Sequence, residues 1–205
     1  MGTIRKISIA AILAAGSMFS LTGPASANLV TNGNFDADSP PVQTAPVGWT
    51  LTQAPSGTDF FVGSGPTFGA FSLPNSANFG ATGAFDDTLS QVLSTIMGQT
   101  YTISFELAHD ATNTANDFSA TFGADQILSL TNSPEFGYTL FTATAVASSN
   151  STTLSFAGRE NPAWFELDDV DVEGATAVPE PGSLAIFGAA LFGLGMFSWR
   201  KRKAA

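Results

Sequence analysis

The stretch YTISFEL alternates without a break: Tyr101, Ile103, Phe105 and Leu107 point one way, and Thr102, Ser104 and Glu106 the other. A period of two builds one apolar face on a β-strand and none on a helix. The period recurs at Phe118, Ala120 and Phe122 in DFSATFG, and at Leu154 and Phe156 in TTLSFAG. YTLFTATAVA is β-branched and aromatic enough for a further strand, and TLSQVLSTI follows the Asp86-Asp87 pair as another. The clusters DATNTAND, LTNSPEFG, ASSNS and GRENP mark turns between them. No long amphipathic helix is visible between Asn28 and Gly174. Short strands at regular spacing predict an all-β fold, an antiparallel β-sandwich of jelly-roll type.

Charge narrows what such a domain can meet. Only 12% of residues are charged, and the two signs are segregated. Arg5 and Lys6 lie near the start and Arg200, Lys201, Arg202 and Lys203 at the end, so Arg159 stands alone between them against all seventeen acids. A middle of net charge about −16 repels nucleic acid and anionic lipid and suits divalent cations. With no Cys, disulfides, thiolate metal sites and cysteine nucleophiles are excluded, and a single His, His109, excludes a multi-His metal site. Apolar burial must hold the fold, assisted at most by an ion.

The two ends read as addresses. Residues 1–27 place Arg5 and Lys6 before an apolar run from Ile7 to Leu21, then Pro24 and the A-x-A signal Ala25-Ser26-Ala27. This is the pattern of a secretory signal peptide, handled by the Sec translocon and signal peptidase, with a mature chain from Asn28. An uncleaved N-terminal anchor is the alternative. At the other end, Gly182 to Trp199 is free of charge and as a helix would span roughly 27 Å, just the thickness of a hydrocarbon core. Trp199 falls at an interface, and Arg200 to Lys203 would stay on the cytoplasmic side. Val178-Pro179-Glu180-Pro181 precedes the run, its two prolines favouring an extended backbone that a protease can accept. A single C-terminal transmembrane helix is therefore expected over part of residues 178–205, with residues 28–177 as the β-sandwich domain.

These residues, Val178 to Pro181, the apolar run and the Arg/Lys cluster, resemble the PEP-CTERM domain of Gram-negative exported proteins. The resemblance implies cutting near Pro179-Glu180-Pro181 by a membrane-embedded exosortase. It implies an inner-membrane-anchored intermediate and then a place at the cell surface or outside the cell. The alternative is a permanent single-pass anchor.

The middle carries a second resemblance. Asn28-Leu29-Val30-Thr31-Asn32-Gly33-Asn34-Phe35-Asp36, followed by Gly48-Trp49, is similar to the opening of carbohydrate-binding, galactose-binding-like jelly rolls. Trp164-Phe165-Glu166-Leu167-Asp168-Asp169-Val170-Asp171-Val172 is similar to their last strand. Within it the inward face runs Phe165, Leu167, then Val170, Val172, so the alternation slips by one at Asp168-Asp169, as at a β-bulge. The resemblance implies adjacent first and last strands and a structural Ca²⁺ near their ends, held by Asp36 and by Asp168 or Asp169. Hard carboxylate and carbonyl oxygens are the ligands Ca²⁺ requires; the plainer reading is a turn cap at Asp36 and a solvated strand end at the Asp pair.

A glycan site needs an aromatic platform and polar neighbours. Trp164, opposite in alternation to Phe165, is the candidate platform, with Arg159 as a clamp for an acidic sugar. Trp49 reads as core, and Phe60-Phe61 and Tyr138 as loop-edge aromatics. His109 reads as a surface residue at a strand end, and Arg159-Glu160 as a local ion pair or a loop contact. Glu106, Glu135, Glu160 and Glu166 are the acids a glycosidase would draw on. Asn150-Ser151-Thr152 matches a glycosylation sequon by chance. The functional expectation is a non-enzymatic surface or extracellular-matrix protein that binds polysaccharide. The alternatives are an adhesive protein without a small ligand, working through sheet edges and Ca²⁺-bridged acidic faces, and a polysaccharide hydrolase.

Overall fold

The computed structural model describes residues 27–110 and 115–175. Among the described residues ten strands form two five-stranded sheets. One sheet runs β1 (Thr50–Thr52), β4 (Asp87–Ser94), β9 (Ser151–Arg159), β6 (Asp117–Phe122) and β7 (Asp125–Thr131). The other runs β2 (Phe60–Gly63), β3 (Ser76–Phe79), β10 (Phe165–Gly174), β5 (Thr100–His109) and β8 (Phe136–Val146). Every pairing is antiparallel. The expected β-sandwich is the observed architecture. Among the described residues no helix is long and apolar enough to cross a membrane. The expected signal peptide with Ala25, and the tail from Val178 through Trp199 and Arg200 to Lys203, lie outside the described residues; Ala27, the last residue of the expected cleavage signal, is exposed.

The alternating residues meet as aromatic layers. Phe156 of β9 packs edge-on against Phe105 of β5 at 5.1 Å between ring centres and also meets Trp49 and Phe118. Phe118 in turn reaches Phe165 at 5.0 Å and Phe79 at 5.6 Å. These rings are almost wholly withdrawn from water, and each such side chain contributes about 1.5–3 kcal/mol by burial. The rings approach so closely that β9 has a glycine beneath them: a Cβ on Gly158 would lie 2.8 Å from Phe118 and 3.2 Å from Phe79. With no cysteine to cross-link the sheets, this layer carries the fold.

The opening motif docks on the last strand, as the resemblance implies. β3 pairs with β10 only as far as Leu167. Beyond it the Leu29 amide donates to the Val172 carbonyl at 2.9 Å, and the Val170 amide to the Gly33 carbonyl at 3.0 Å. Gly33 is obligatory there, since a Cβ would fall 2.1 Å from the Val170 oxygen. The slip in WFELDDVDV is a true irregularity: the β10–β5 register shifts between Asp168 and Asp171, and Asp169 has φ +46°. Phe165, Leu167, Val170 and Val172 all remain in the core.

Several local readings change. Phe60 and Phe61 lie in β2 rather than in a loop, Phe60 in the core and Phe61 half-buried on the other face. Tyr138 lies within β8. β7 has no matching alternation in sequence, because both of its faces are partly wet. Truncating Phe156 to Ala should destabilise the fold by about 3–5 kcal/mol in urea unfolding, whereas Thr153→Ala on the exposed face of the same strand should stay within about 0.5 kcal/mol.

Candidate functional site

In β10 the side chains that alternate away from the core are Glu166 and Asp168, yet both are fully buried. Residues 64–75 fold across them as a strap. The Thr67 and Phe68 amides donate to Glu166 Oε1 at 3.2 and 3.5 Å, and the Ser72 amide to Asp168 Oδ2 at 2.9 Å. Thr67 Oγ1 donates to Asp110 Oδ2 at 2.7 Å, and the Tyr138 hydroxyl to the Gly69 carbonyl at 2.8 Å. A Cβ on Gly65 would meet the Glu166 carboxylate at 2.2 Å, so the strap lies flat on it. The strap has no ionisable side chain of its own; it is held by main-chain and hydroxyl donors placed over acids. Burial pushes Glu166 up to about 7, strap amides pull it part of the way back, and Asp110 adds repulsion. Burial does the same to Asp168, also up to about 7, opposed by the Ser72 and Asp169 amides and assisted by the Asp169 charge. Burial likewise raises the Tyr138 hydroxyl well above its ordinary range.

Trp164 belongs to this face. Its ring meets Phe61 edge-on at 6.2 Å and lies over Gly80, where a Cβ would come 2.4 Å from Nε1. Its amide donates to Asp110 Oδ1 at 2.5 Å, and the Asp110 amide donates to its carbonyl at 3.2 Å. It points away from the core as its alternation requires, but it packs on the sheet, with Nε1 buried and unpartnered.

Arg159 lies elsewhere, at the rim where β6 and β10 begin and β5, β7 and β9 end. A cavity of about 410 Å³ opens there, lined by Arg159, Asn132, Asn161, Thr82 and Thr131 among others. Arg159 Nη1 donates to Asp86 Oδ1 at 3.0 Å, and Nη2 is 4.0 Å from Asp117 Oδ2. The expected Arg159–Glu160 pair is thus replaced by pairs with Asp86 and Asp117, because β9 alternation sends the two side chains to opposite sides. Phe85, in the loop that supplies Thr82, is 54% exposed. Trp164 does not line this cavity, so the two expected glycan contacts are not brought together.

Glu160 turns inward to His109. The pair is fully buried, with Nε2 at 2.8 Å from Glu160 Oε2 and the ring stacked on Phe165 at 4.0 Å. The expectation of a surface His109 is therefore corrected. Nδ1 lies 3.1 Å from the Pro134 carbonyl, which only accepts, so Nδ1 carries a proton. Sealed from solvent, this pair ties β5 to the β9–β10 connection.

At the junction of the opening motif and β10, a cavity of about 330 Å³ is lined by Asn28, Asn32, Gly33, Asn34, Asp169 and Asp171. The three expected metal ligands divide. Asp168 is under the strap, Asp169 lines the cavity while accepting from Ser72 Oγ at 2.6 Å, and Asp36 accepts from Asn34 Nδ2 at 2.8 Å. Among the described residues no three of His, Cys, Asp and Glu gather as a metal cluster. The Oδ1 of Asp36 is nevertheless buried without a hydrogen-bond partner. A buried carboxylate oxygen without a donor fits a hard cation, although Asp36 itself is not among the residues that line the cavity.

A model of the PEP-CTERM protein-sorting motif matches residues 177–203. The chain carries a PEP-CTERM sorting motif. The motif marks an exported protein with exosortase as its processing partner. No curated protein sequence matches the chain. Among solved structures, the sandwich is similar to TmCBM61 in complex with beta-1,4-galactotriose: 13% identity, 73% of this chain, 99% of that one, TM-score 0.54. A putative sugar binding protein from Bacteroides thetaiotaomicron is similar at 11% identity over 72% of this chain and 100% of that one, TM-score 0.53. The arabinose-bound α-L-arabinofuranosidase MgGH51 is similar over 75% of this chain but only 27% of its own, at 14% identity and TM-score 0.53. At these identities the likeness is one of fold.

Asn132, Asn161 and the strap donors Thr67 and Ser72 carried no sequence signal, being ordinary loop residues. The buried acids give a test. Glu166 and Asp168 hold their protons to higher pH when folded than when unfolded, so the native state binds more protons between about pH 4.5 and 7. Stability should fall as pH rises across that window and level off above it. Urea midpoints measured from pH 4.5 to 8 should show the fall, and the pair Glu166→Gln and Asp168→Asn should flatten it.

Proposed function

We propose that this chain is an exported, exosortase-processed protein whose β-sandwich works non-enzymatically at the cell surface or in the extracellular matrix, binding polysaccharide at the rim cavity beside Arg159. The cavity's lining carries the reading: amides from Asn132 and Asn161, hydroxyls from Thr82 and Thr131 and one guanidinium offer the mixed donors and acceptors that sugar hydroxyls require. Phe85 stands exposed in the adjoining loop as a surface on which a sugar ring can stack. The two sugar-related modules of the same fold support the class of ligand. Asp86 and Asp117 already neutralise much of Arg159, which favours neutral over acidic sugars.

A glycan array followed by titration calorimetry tests this. The protein should retain neutral oligosaccharides, and Asn132→Gly, which suits the φ of +51° at that position, together with Asn161→Ala should weaken binding by about tenfold or more without lowering the melting temperature. Silence across the array would favour the adhesive alternative. That alternative has its own support in β8, an edge strand of eleven residues with no charge and no proline.

We also propose Ca²⁺ at the terminal-strand junction, satisfying Asp36 Oδ1, with Asp169 and neighbouring oxygens completing its shell. Chelator should then lower the Tm by roughly 5–10 °C, and Asp36→Asn should abolish that response.

A further inference from the structure

The end of the sandwich opposite the rim cavity is where the described chain leaves the fold. The Ala175 amide donates to the Thr100 carbonyl at 2.9 Å, and Gln99 Nε2 donates to the Ala175 carbonyl at 3.3 Å. The exit therefore lies against the β4–β5 turn. Residues 176–181 then separate it from the uncharged run that starts at Gly182. Seven steps of extended chain reach about 25 Å at most. While the sorting tail is uncut and membrane-inserted, this end must stay close to the bilayer.

The turn at that end is built in an unusual way. Its main-chain amides are committed to the domain. The Thr95 amide donates to the Asn150 carbonyl, the Ile96 amide to the Tyr101 hydroxyl at 2.8 Å, the Met97 amide to Asn150 Oδ1 at 2.9 Å, and the Gly98 amide to the Ala147 carbonyl at 2.7 Å. The backbone is fixed, yet the side chains it presents are apolar and wet: Ile96 is 64% exposed and Met97 68%. Val146, paired with Thr100 beside them, is 52% exposed. The fold gains nothing from apolar groups there. Charge follows the same division. Residues 92–100, 145–151 and 174–178 contain no acid or base, in a domain that is otherwise strongly acidic; the acids at this end are Glu173 and, in the β6–β7 turn, Asp125.

We propose that this tip, Ile96 and Met97 with Val146 beside them, is a lipid-contact surface that enters the interfacial region of the bilayer while the tail is in place, holding the domain at the membrane until the tail is cut. A tip whose own segments carry no charge approaches lipid with little electrostatic repulsion. Burying exposed aliphatic groups at the headgroup boundary supplies the attraction. The inference rests on the sorting tail spanning the membrane.

The full-length chain, reconstituted into phosphatidylcholine vesicles, tests it. The chain has no native cysteine, so an environment-sensitive fluorophore can be placed singly at Ser148→Cys in the tip and, as control, at Glu135→Cys near the rim. The tip probe should shift to the blue and be quenched by spin-labelled lipid, while the Glu135 probe stays in water. Adding Ile96→Ser and Met97→Ser should return the tip probe to the control signal with the protein still floating with the vesicles. A tip probe quenched only from water in vesicle-bound protein overturns the proposal. A tip shielded from both quenchers, with energy transfer between labelled chains, assigns the surface to a second copy and also overturns it. A chain that does not float at all removes the tail reading and the inference with it.

Discussion

The first four residues of β10, Phe165 to Asp168, are buried on both faces, and the rest of the structure adjusts to that. A strand in an antiparallel sandwich ordinarily keeps one face wet. Here Phe165, Leu167, Val170 and Val172 face the aromatic core while Glu166 and Asp168 lie dry beneath the strap. Carboxylates so placed need donors, and the strap supplies them from its main chain and hydroxyls. Desolvation still exceeds what those bonds return, which is why both acids are displaced toward neutrality. The strap's lack of charge and its glycine at 65 follow from the same constraint: a flat, neutral segment is what can lie on two dry acids.

The strap also decides where a ligand can reach. It covers Glu166 and Asp168 on the outer face of the second sheet, and beside it Trp164 packs on Phe61 and over Gly80. Open, polar concavity is found instead at the rim beside Arg159 and at the terminal-strand junction. These lie on loop residues positioned by strand ends, the ordinary place for recognition on a rigid sandwich. The His109–Glu160 pair fixes one wall of the rim from within by joining β5 to the segment that leads into β10. The two ends of the domain thus differ: one opens a polar cavity at the rim, and the opposite one is where the described chain departs.

How much of this was legible depends on the range of the interaction. β5, β6, β8, β9 and β10 were readable because a period of two is local, and so was the bulge at Asp168-Asp169, because it breaks that period. Trp49 was readable as core. His109 was misread because its burial is produced by Glu160, fifty-one residues later, and by Phe165 stacking on the ring. Arg159 was assigned the wrong partner for a similar reason: Asp86 reaches it only through the pairing of β4 with β9. The strap left no mark in the sequence, since the donors that matter in it are mostly main-chain amides, which every sequence has.

The sequence by itself determined the two-residue period, hence the sandwich, and the tripartite tail with its sorting motif, hence export. Both are contiguous patterns whose physics acts along the chain: pleat alternation in one case, hydrophobic length and charge in the other. Only the tertiary structure decided that Glu166 and Asp168 are dry, that Trp164 is packed, that Arg159 opens onto a polar cavity, and that Ile96 and Met97 stand wet at the exit. Each of these depends on which distant segment covers a side chain, and solvent exclusion is a property of the assembled sheets.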